Sequence, residues 1–252
     1  MGYSMLFESG YIREIQFLKD DPGWTNRYPF YLPVFRGPDA IELHPKVTFI
    51  IGENGTGKST LLEAIAVAWG FNPEGGTKNF NFSTRESHSG LYQYLRLVKG
   101  IKRPRDGYFL RAESFYNVAT NIEELDEGGG GGRLIDSYGG KSLHDQSHGE
   151  AFLSLIMNRF GGHGLYVLDE PEAALSPLRQ MALLSRIHDL VQQESQFIIA
   201  THSPIIMGYP DASILQLSAD GFTSVDYEET EHYRVMRDFI VDRDRMIKIL
   251  TE

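Results

Sequence analysis

Apolar residues recur along this chain in two rhythms. Residues 11–18 alternate between apolar and polar and predict a half-buried strand. Residues 47–51, 165–168 and 197–200 are instead short unbroken apolar runs, which predict strands covered on both faces. Residues 108–110 read as a further strand, and 91–98 as a strand or a short helix. Apolar positions at helical spacing run over 61–69 and stop at Gly70. The same spacing predicts helices over 113–125, 147–158 and 178–193, and one C-terminal helix over 232–250. Residues 214–217 and 222–227 predict a hairpin around Asp220 and Gly221. Residues 20–45 read as loop with short extended pieces, and 72–90 as irregular. The five glycines at 128–132 read as a flexible solvent loop. No heptad run or internal repeat is present, so no coiled coil is expected.

Alternation of buried strands with helices predicts an α/β fold with a mostly parallel sheet. A length of 252 residues suits one such domain, or a domain with a small lobe. No run of about 18 apolar residues occurs, so no membrane insertion is expected. The N-terminus lacks a charged stretch followed by an apolar one, so no signal peptide is expected. With no cysteine, thiol catalysis and cysteine-bound zinc are excluded, and a reducing cytoplasm is the default compartment. The net charge of −10 argues against a sequence-indifferent DNA binder acting alone. Lys99, Lys102, Arg103 and Arg105 form one local basic cluster, read as a solvated turn.

Three of the predicted buried strands run into chemically loaded loops, and ligands of open parallel sheets bind at such strand ends. The first loop is Gly52-Glu53-Asn54-Gly55-Thr56-Gly57-Lys58-Ser59-Thr60, which fits the phosphate-loop pattern between a strand and a helix. Its glycines let backbone N–H groups turn towards phosphate oxygens, and the following helix adds its positive end. Lys58 is expected on the β- and γ-phosphates of ATP, and the Ser59 hydroxyl on Mg²⁺. The second loop opens with Asp169 and Glu170: the first carboxylate suits magnesium, the second suits activation of the attacking water. The third places His202 one strand further on, where it can hydrogen-bond a γ-phosphate.

The order of these elements resembles the ATP-binding-cassette (ABC) class of ATPases over about residues 45–217. The resemblance is carried by the phosphate loop, Ser147-His148-Gly149-Glu150, Leu168-Asp169-Glu170-Pro171-Glu172, Ala174-Leu175-Ser176-Pro177 and Thr201-His202-Ser203. Within that class it is similar to the non-transporter branch, with SMC-type and DNA-repair ATPases and short "AAA family" proteins. The resemblance implies one domain over 1–252: a core sheet flanked by helices, an antiparallel β part, and a small helical lobe inserted over about 111–160. It implies that Ser147 and Gly149 meet the γ-phosphate of ATP held by a second copy, and that residues 174–176 cross that interface. The usual signature is Leu-Ser-Gly-Gly-Gln; here Gln146 precedes the serine, His148 replaces the first glycine and Glu150 ends the motif. Ser147 followed by Glu150 is also a helix-capping pair. The family's Q-loop should follow residues 108–110, but no glutamine stands there; either Glu113 serves as a magnesium-side carboxylate or the function is missing. Tyr28, Phe30, Tyr31 and Phe35 are candidates for stacking on adenine.

The reading is an ATP-hydrolysing, ATP-driven dimerisation switch. A second copy of the chain is its expected partner, and DNA or a separate effector protein a possible one. Its expected setting is DNA repair, nucleic-acid processing or mobile-element defence. The alternative is the ATP-binding subunit of a membrane transporter, disfavoured because both expected glutamines are missing. A scaffold without hydrolysis is weaker, given Glu170 and His202. A ring motor, which needs an arginine finger and sensor residues, is disfavoured because the Ser147 and His202 elements resemble the cassette type, and a GTPase because no Asn-Lys-x-Asp guanine-reading sequence occurs.

Overall fold

The computed structural model describes residues 10–20, 28–37, 39–77, 89–113, 115, 119–120, 136, 140, 142 and 144–252. The strands are β1 (Ile12–Phe17), β2 (Ala40–Glu42), β3 (Val47–Gly52), β4 (Leu95–Lys99), β5 (Asp106–Arg111), β6 (Gly164–Asp169), β7 (Gln196–Ala200), β8 (Ala212–Ser218) and β9 (Gly221–Ser224). The helices are α1 (Pro33–Arg36), α2 (Lys58–Trp69), α3 (His148–Arg159), α4 (Pro177–Gln192), α5 (Pro204–Met207), α6 (Glu231–Val241) and α7 (Arg243–Thr251).

Among the described residues the central sheet runs β5-β6-β7-β3-β8-β9, parallel except for the last strand. Every residue of β3, β6 and β7 is buried, as expected of strands covered on both faces. Alternation along β3 divides the core in two. Val47, Phe49 and Ile51 face a cluster with Phe152, Leu155 and Leu183 of α3 and α4. Ile50 faces the other cluster, with Leu61 and Ile65 of α2. That second layer also takes in the antiparallel sheet β2-β1-β4 through Ile12 and Ile15.

One side chain joins the two sheets. Gln196, 1% exposed at the start of β7, accepts from the Ile12 N–H (2.9 Å) and donates to Ile12 O (2.8 Å) and His44 O (3.0 Å). Replacing it with leucine leaves two buried backbone groups of Ile12 and the part-buried His44 O without these partners. Gln196→Leu is therefore expected to cost about 2–4 kcal/mol of stability. Urea unfolding measures this; an unchanged midpoint would remove Gln196 as the fastener.

Within the described residues the predicted strands and the helices over 61–69, 147–158 and 178–193 stand with small shifts. Residues 91–98 hold both alternatives, a 3-10 turn over Gly90–Tyr94 and then β4. The loop over 20–45 contains the one-turn α1. The C-terminal helix is two helices: Asp242 leaves helical geometry (φ −140°) and caps α7 by accepting from the Arg245 N–H at 3.2 Å. An aspartate that competes for backbone donors breaks a helix its neighbours would continue. Most of the predicted 113–125 helix and all of the 128–132 glycine run lie outside the described residues.

No described helix is long and apolar enough to cross a membrane.

Candidate active site

Sheet order brings the three loaded loops together. β7 lies between β3 and β6, so their C-terminal ends are adjacent. The ladder continues past the strands: Thr201 N–H donates to Ile50 O (3.2 Å) and Glu170 N–H to Ala200 O (3.0 Å). The phosphate loop, the carboxylate pair and His202 thus leave the sheet at one level.

The loop's shape depends on glycine. Gly57 has φ 102° at the start of α2, and a Cβ there would press on Leu32 and Phe35 at 3.2 Å. At Gly52 (φ 151°) a Cβ would lie 2.7 Å from Leu217 O on β8. Thr56 steadies the middle of the turn by donating its hydroxyl to Glu53 O at 2.8 Å. Lys58 is 4% exposed, and its Nζ donates to Gly52 O (2.8 Å) and Glu53 O (2.9 Å), so it closes the loop on itself. Burial lowers its pKa, while Glu170, Asp169 and Glu172 oppose that shift.

Ser59 and Asp169 meet across the sheet end. The Ser59 hydroxyl donates to Asp169 Oδ1 at 3.1 Å. Burial raises the Asp169 pKa to about 6, against the opposing pull of Arg111 and of the Ser59 hydrogen bond. A hydroxyl beside a carboxylate is a hard oxygen pair suited to magnesium. Among the described residues no group of three His, Asp or Glu side chains gathers that could hold a metal unaided.

Arg111, at the end of β5, was not singled out by the sequence. Its Nε lies 3.5 Å from Asp169 Oδ2, and its Nη1 is 2.9 Å from Glu63 Oε2 on α2. No local signal points to it, because its reach depends on the pairing of β5 with β6. Glu113, the sequence candidate for the magnesium side, is 89% exposed and 3.7 Å from Arg111 Nη2. Arg111, not Glu113, makes the close contact with Asp169.

Glu170 sits in the left-handed region (φ 50°, ψ 54°) before Pro171. That conformation costs about 1 kcal/mol or more for a residue with a Cβ. It leaves the carboxylate half-exposed, 3.6 Å from His202 Nε2. The His202 backbone N–H donates to the buried Glu172 carboxylate, which fixes the histidine's position. Burial lowers the His202 pKa, Lys58 lowers it further and Glu170 opposes, so the ring is neutral at physiological pH.

Ser147 and Gly149 start α3, next to Ala174 and Arg179. The Glu150 carboxylate accepts from the Ser147 N–H (3.2 Å) and hydroxyl (2.7 Å), the predicted capping interaction. A Cβ on Gly149 would lie 2.4 Å from Ala174 O, so glycine is required there by packing alone. Of the stacking candidates, Phe30 and Phe35 are core residues. Tyr28 and Tyr31 are 56% and 47% exposed, and the Tyr28 hydroxyl bonds to the Thr60 hydroxyl at 2.6 Å, beside the phosphate loop.

Comparison with known proteins gives the same class. Residues 32–140 match the family described as "AAA domain", and residues 146–208 match "AAA domain, putative AbiEii toxin, Type IV TA system". The chain is a P-loop, AAA-type ATPase related to the ABC and RecF-like ATPases. The ATPase is 43% identical over 67 residues to the DNA replication and repair protein RecF of Colwellia psychrerythraea, covering 27% of this chain and 16% of that protein. It is 26% identical over 172 residues to ABC transporter G family member STR2 of Medicago truncatula, covering 63% of this chain and 24% of that protein. The ATPase therefore spans less than a quarter of either curated relative. Among solved structures, an inward-facing ABC transporter of the metal-chelate type superposes with a TM-score of 0.50 at 16% identity, over 89% of this chain and 87% of that one. This likeness shows the fold. The ATPase has the domain architecture of ATP hydrolysis.

Proposed function

We propose that this ATPase is an ATP-driven dimerisation switch. The observation that carries the reading is the convergence of Lys58, Ser59, Asp169, Glu170 and His202 at one sheet end, with Ser147 bonded to Glu150 beside residues 174–176. Such a site has a nucleotide cradle, a water-activating carboxylate and a neutral histidine, and gains a further donor from a second copy.

Residues 52–60 would hold the phosphates of ATP, with Tyr28 or Tyr31 against the adenine. Ser59 and Asp169 would hold magnesium, with Glu113 as an outer carboxylate, and the ion would supply neutralisation of phosphate charge. Glu170 orients and deprotonates the attacking water, and the γ-phosphoryl passes to it with ADP leaving. Lys58 and His202 stabilise charge on the transferring group. Ser147 and Gly149 of the second copy complete the site, so the two copies pair head to tail. Loss of the shared γ-phosphate loosens the pair.

The likeness to a DNA replication and repair protein supports a nucleic-acid setting. So does a cavity of about 620 Å³ whose lining includes Lys99, Arg103 and Arg105, beside an Arg159 paired with Asp106, in an otherwise acidic chain. The ATPase rate is expected to rise with protein concentration, as pairing requires, and to respond to double-stranded DNA at low salt. Charge reversal at Lys99, Arg103 and Arg105 is expected to abolish the DNA response and leave the basal rate unchanged. A rate per molecule independent of concentration would refute the switch. The absence of any DNA response would favour the transporter-subunit reading, which the 172-residue match supports.

A further inference from the structure

His202 has a neighbour that the ATPase reading does not use. His202 Nδ1 lies 3.0 Å from Nε2 of His232, in the first turn of α6. The other ring nitrogen, His202 Nε2, is buried without a hydrogen-bond partner and faces Glu170 at 3.6 Å. His232 is held firmly. Thr230, fully buried, caps α6 by accepting from the Tyr233 N–H (3.3 Å) and donates to Tyr227 O (2.7 Å). The Tyr227 hydroxyl in turn donates to Pro204 O (2.8 Å), on the segment that follows His202.

Two neutral imidazoles in contact share one proton, and its placement sets both tautomers. If His202 donates from Nδ1, its Nε2 is bare and turns a lone pair towards the Glu170 carboxylate and any phosphate oxygen. If His232 donates from Nε2, His202 keeps its proton on Nε2 and presents a donor to the same place. The Glu170 carboxylate favours the second arrangement. Each arrangement leaves one N–H and one lone pair unpartnered on the two outer nitrogens, His202 Nε2 and His232 Nδ1. In the second the N–H is the one on His202 Nε2, 3.6 Å from the Glu170 anion, whereas in the first that nitrogen turns a lone pair on the anion.

We propose that His232 is a positioning residue of the ATPase site: its Nε2–H fixes His202 in the Nε2-protonated tautomer and aims that N–H at the γ-phosphoryl group. The inference rests on the reading that His202 meets the γ-phosphate. It makes α6 part of the site, so that displacing this helix withdraws the donor that sets the His202 tautomer.

The test combines turnover with ¹⁵N NMR of the histidine rings in the full chain. Wild type is expected to show His202 protonated on Nε2. His232→Ala is expected to lower kcat by about 10–100-fold with an unchanged KM for ATP, the usual scale for a group acting through another. His232→Gln, whose amide can still donate, is expected to restore most of the rate, whereas a merely structural loss would also move KM and the melting temperature. His202 protonated on Nδ1 in wild type would overturn the inference even if the variants fail to fold. If His202→Ala loses turnover and His232→Ala keeps it, this inference alone falls. If His202→Ala keeps full turnover, the γ-phosphate reading of His202 falls and takes the inference with it.

Discussion

Glu170→Gln is expected to bind ATP, turn it over at least about 100-fold more slowly and accumulate as an ATP-bound dimer. The substitution keeps the size of the side chain and removes its basicity. Glu170 is half-exposed and holds no strand in place, so the fold should tolerate the change. Its left-handed backbone is set by the β6–Pro171 turn and by the bond from Glu170 N–H to Ala200 O, both of which glutamine keeps. The γ-phosphate then persists, and with it the contact proposed for Ser147 of a second copy. Size-exclusion chromatography with light scattering reads the result. A variant that hydrolyses slowly but stays monomeric in saturating Mg-ATP would separate catalysis from dimerisation and defeat the switch.

Asp169→Asn is expected to abolish turnover and to stabilise the nucleotide-free protein above pH 6. Burial holds the Asp169 pKa near 6, above the ordinary value of 3.8. A carboxylate raised in this way favours folding in its protonated form. The contribution is full below pH 3.8 and disappears as pH rises through about 6. At pH 8 the folded chain therefore bears a buried anion that asparagine does not carry. Moving this carboxyl from 3.8 to about 6 corresponds to about 3 kcal/mol. Thermal melts without nucleotide at pH 8 should place the variant above wild type, with the gap narrowing towards pH 4. The melts fail the account if asparagine lowers the melting temperature at pH 8, since Asp169 would then be a net stabiliser through Arg111. Stability given up at Asp169 fits a carboxylate kept for a ligand rather than for the fold.

The sequence was most legible where local pattern and chemistry coincide. The unbroken apolar runs of β3, β6 and β7 announce strands buried on both faces, and each runs into or ends on residues that such a strand has no structural need for: the glycine loop, Asp169 with Glu170, and His202. The capping pair at Ser147 and the stop at Gly70 were legible because both are local backbone problems. Contacts between distant segments were not. The reach of Arg111 to Asp169 depends on β5 pairing with β6, and that register is not written in either strand. His232 lies thirty residues beyond His202 and arrives only through the packing of α6 on the β7–α5 turn. Glu113 is read from its place in the chain, but it lies two residues past the end of β5 and is 89% exposed, while Arg111 at the strand end reaches Asp169. Asp242 carried the signal for the helix break, but apolar spacing on both sides hid it.

The most direct test of the composite site mixes two inactive variants. Lys58→Ala removes the nucleotide cradle and leaves the Ser147 region intact; Ser147→Arg blocks that region and leaves the cradle intact. Each alone has no complete site if the site is shared head to tail. Random pairing makes about half of the dimers mixed, each with one complete site of two, so the mixture should recover about a quarter of wild-type ATPase activity. Full activity of Ser147→Arg alone, or no recovery on mixing two folded variants, would contradict the account.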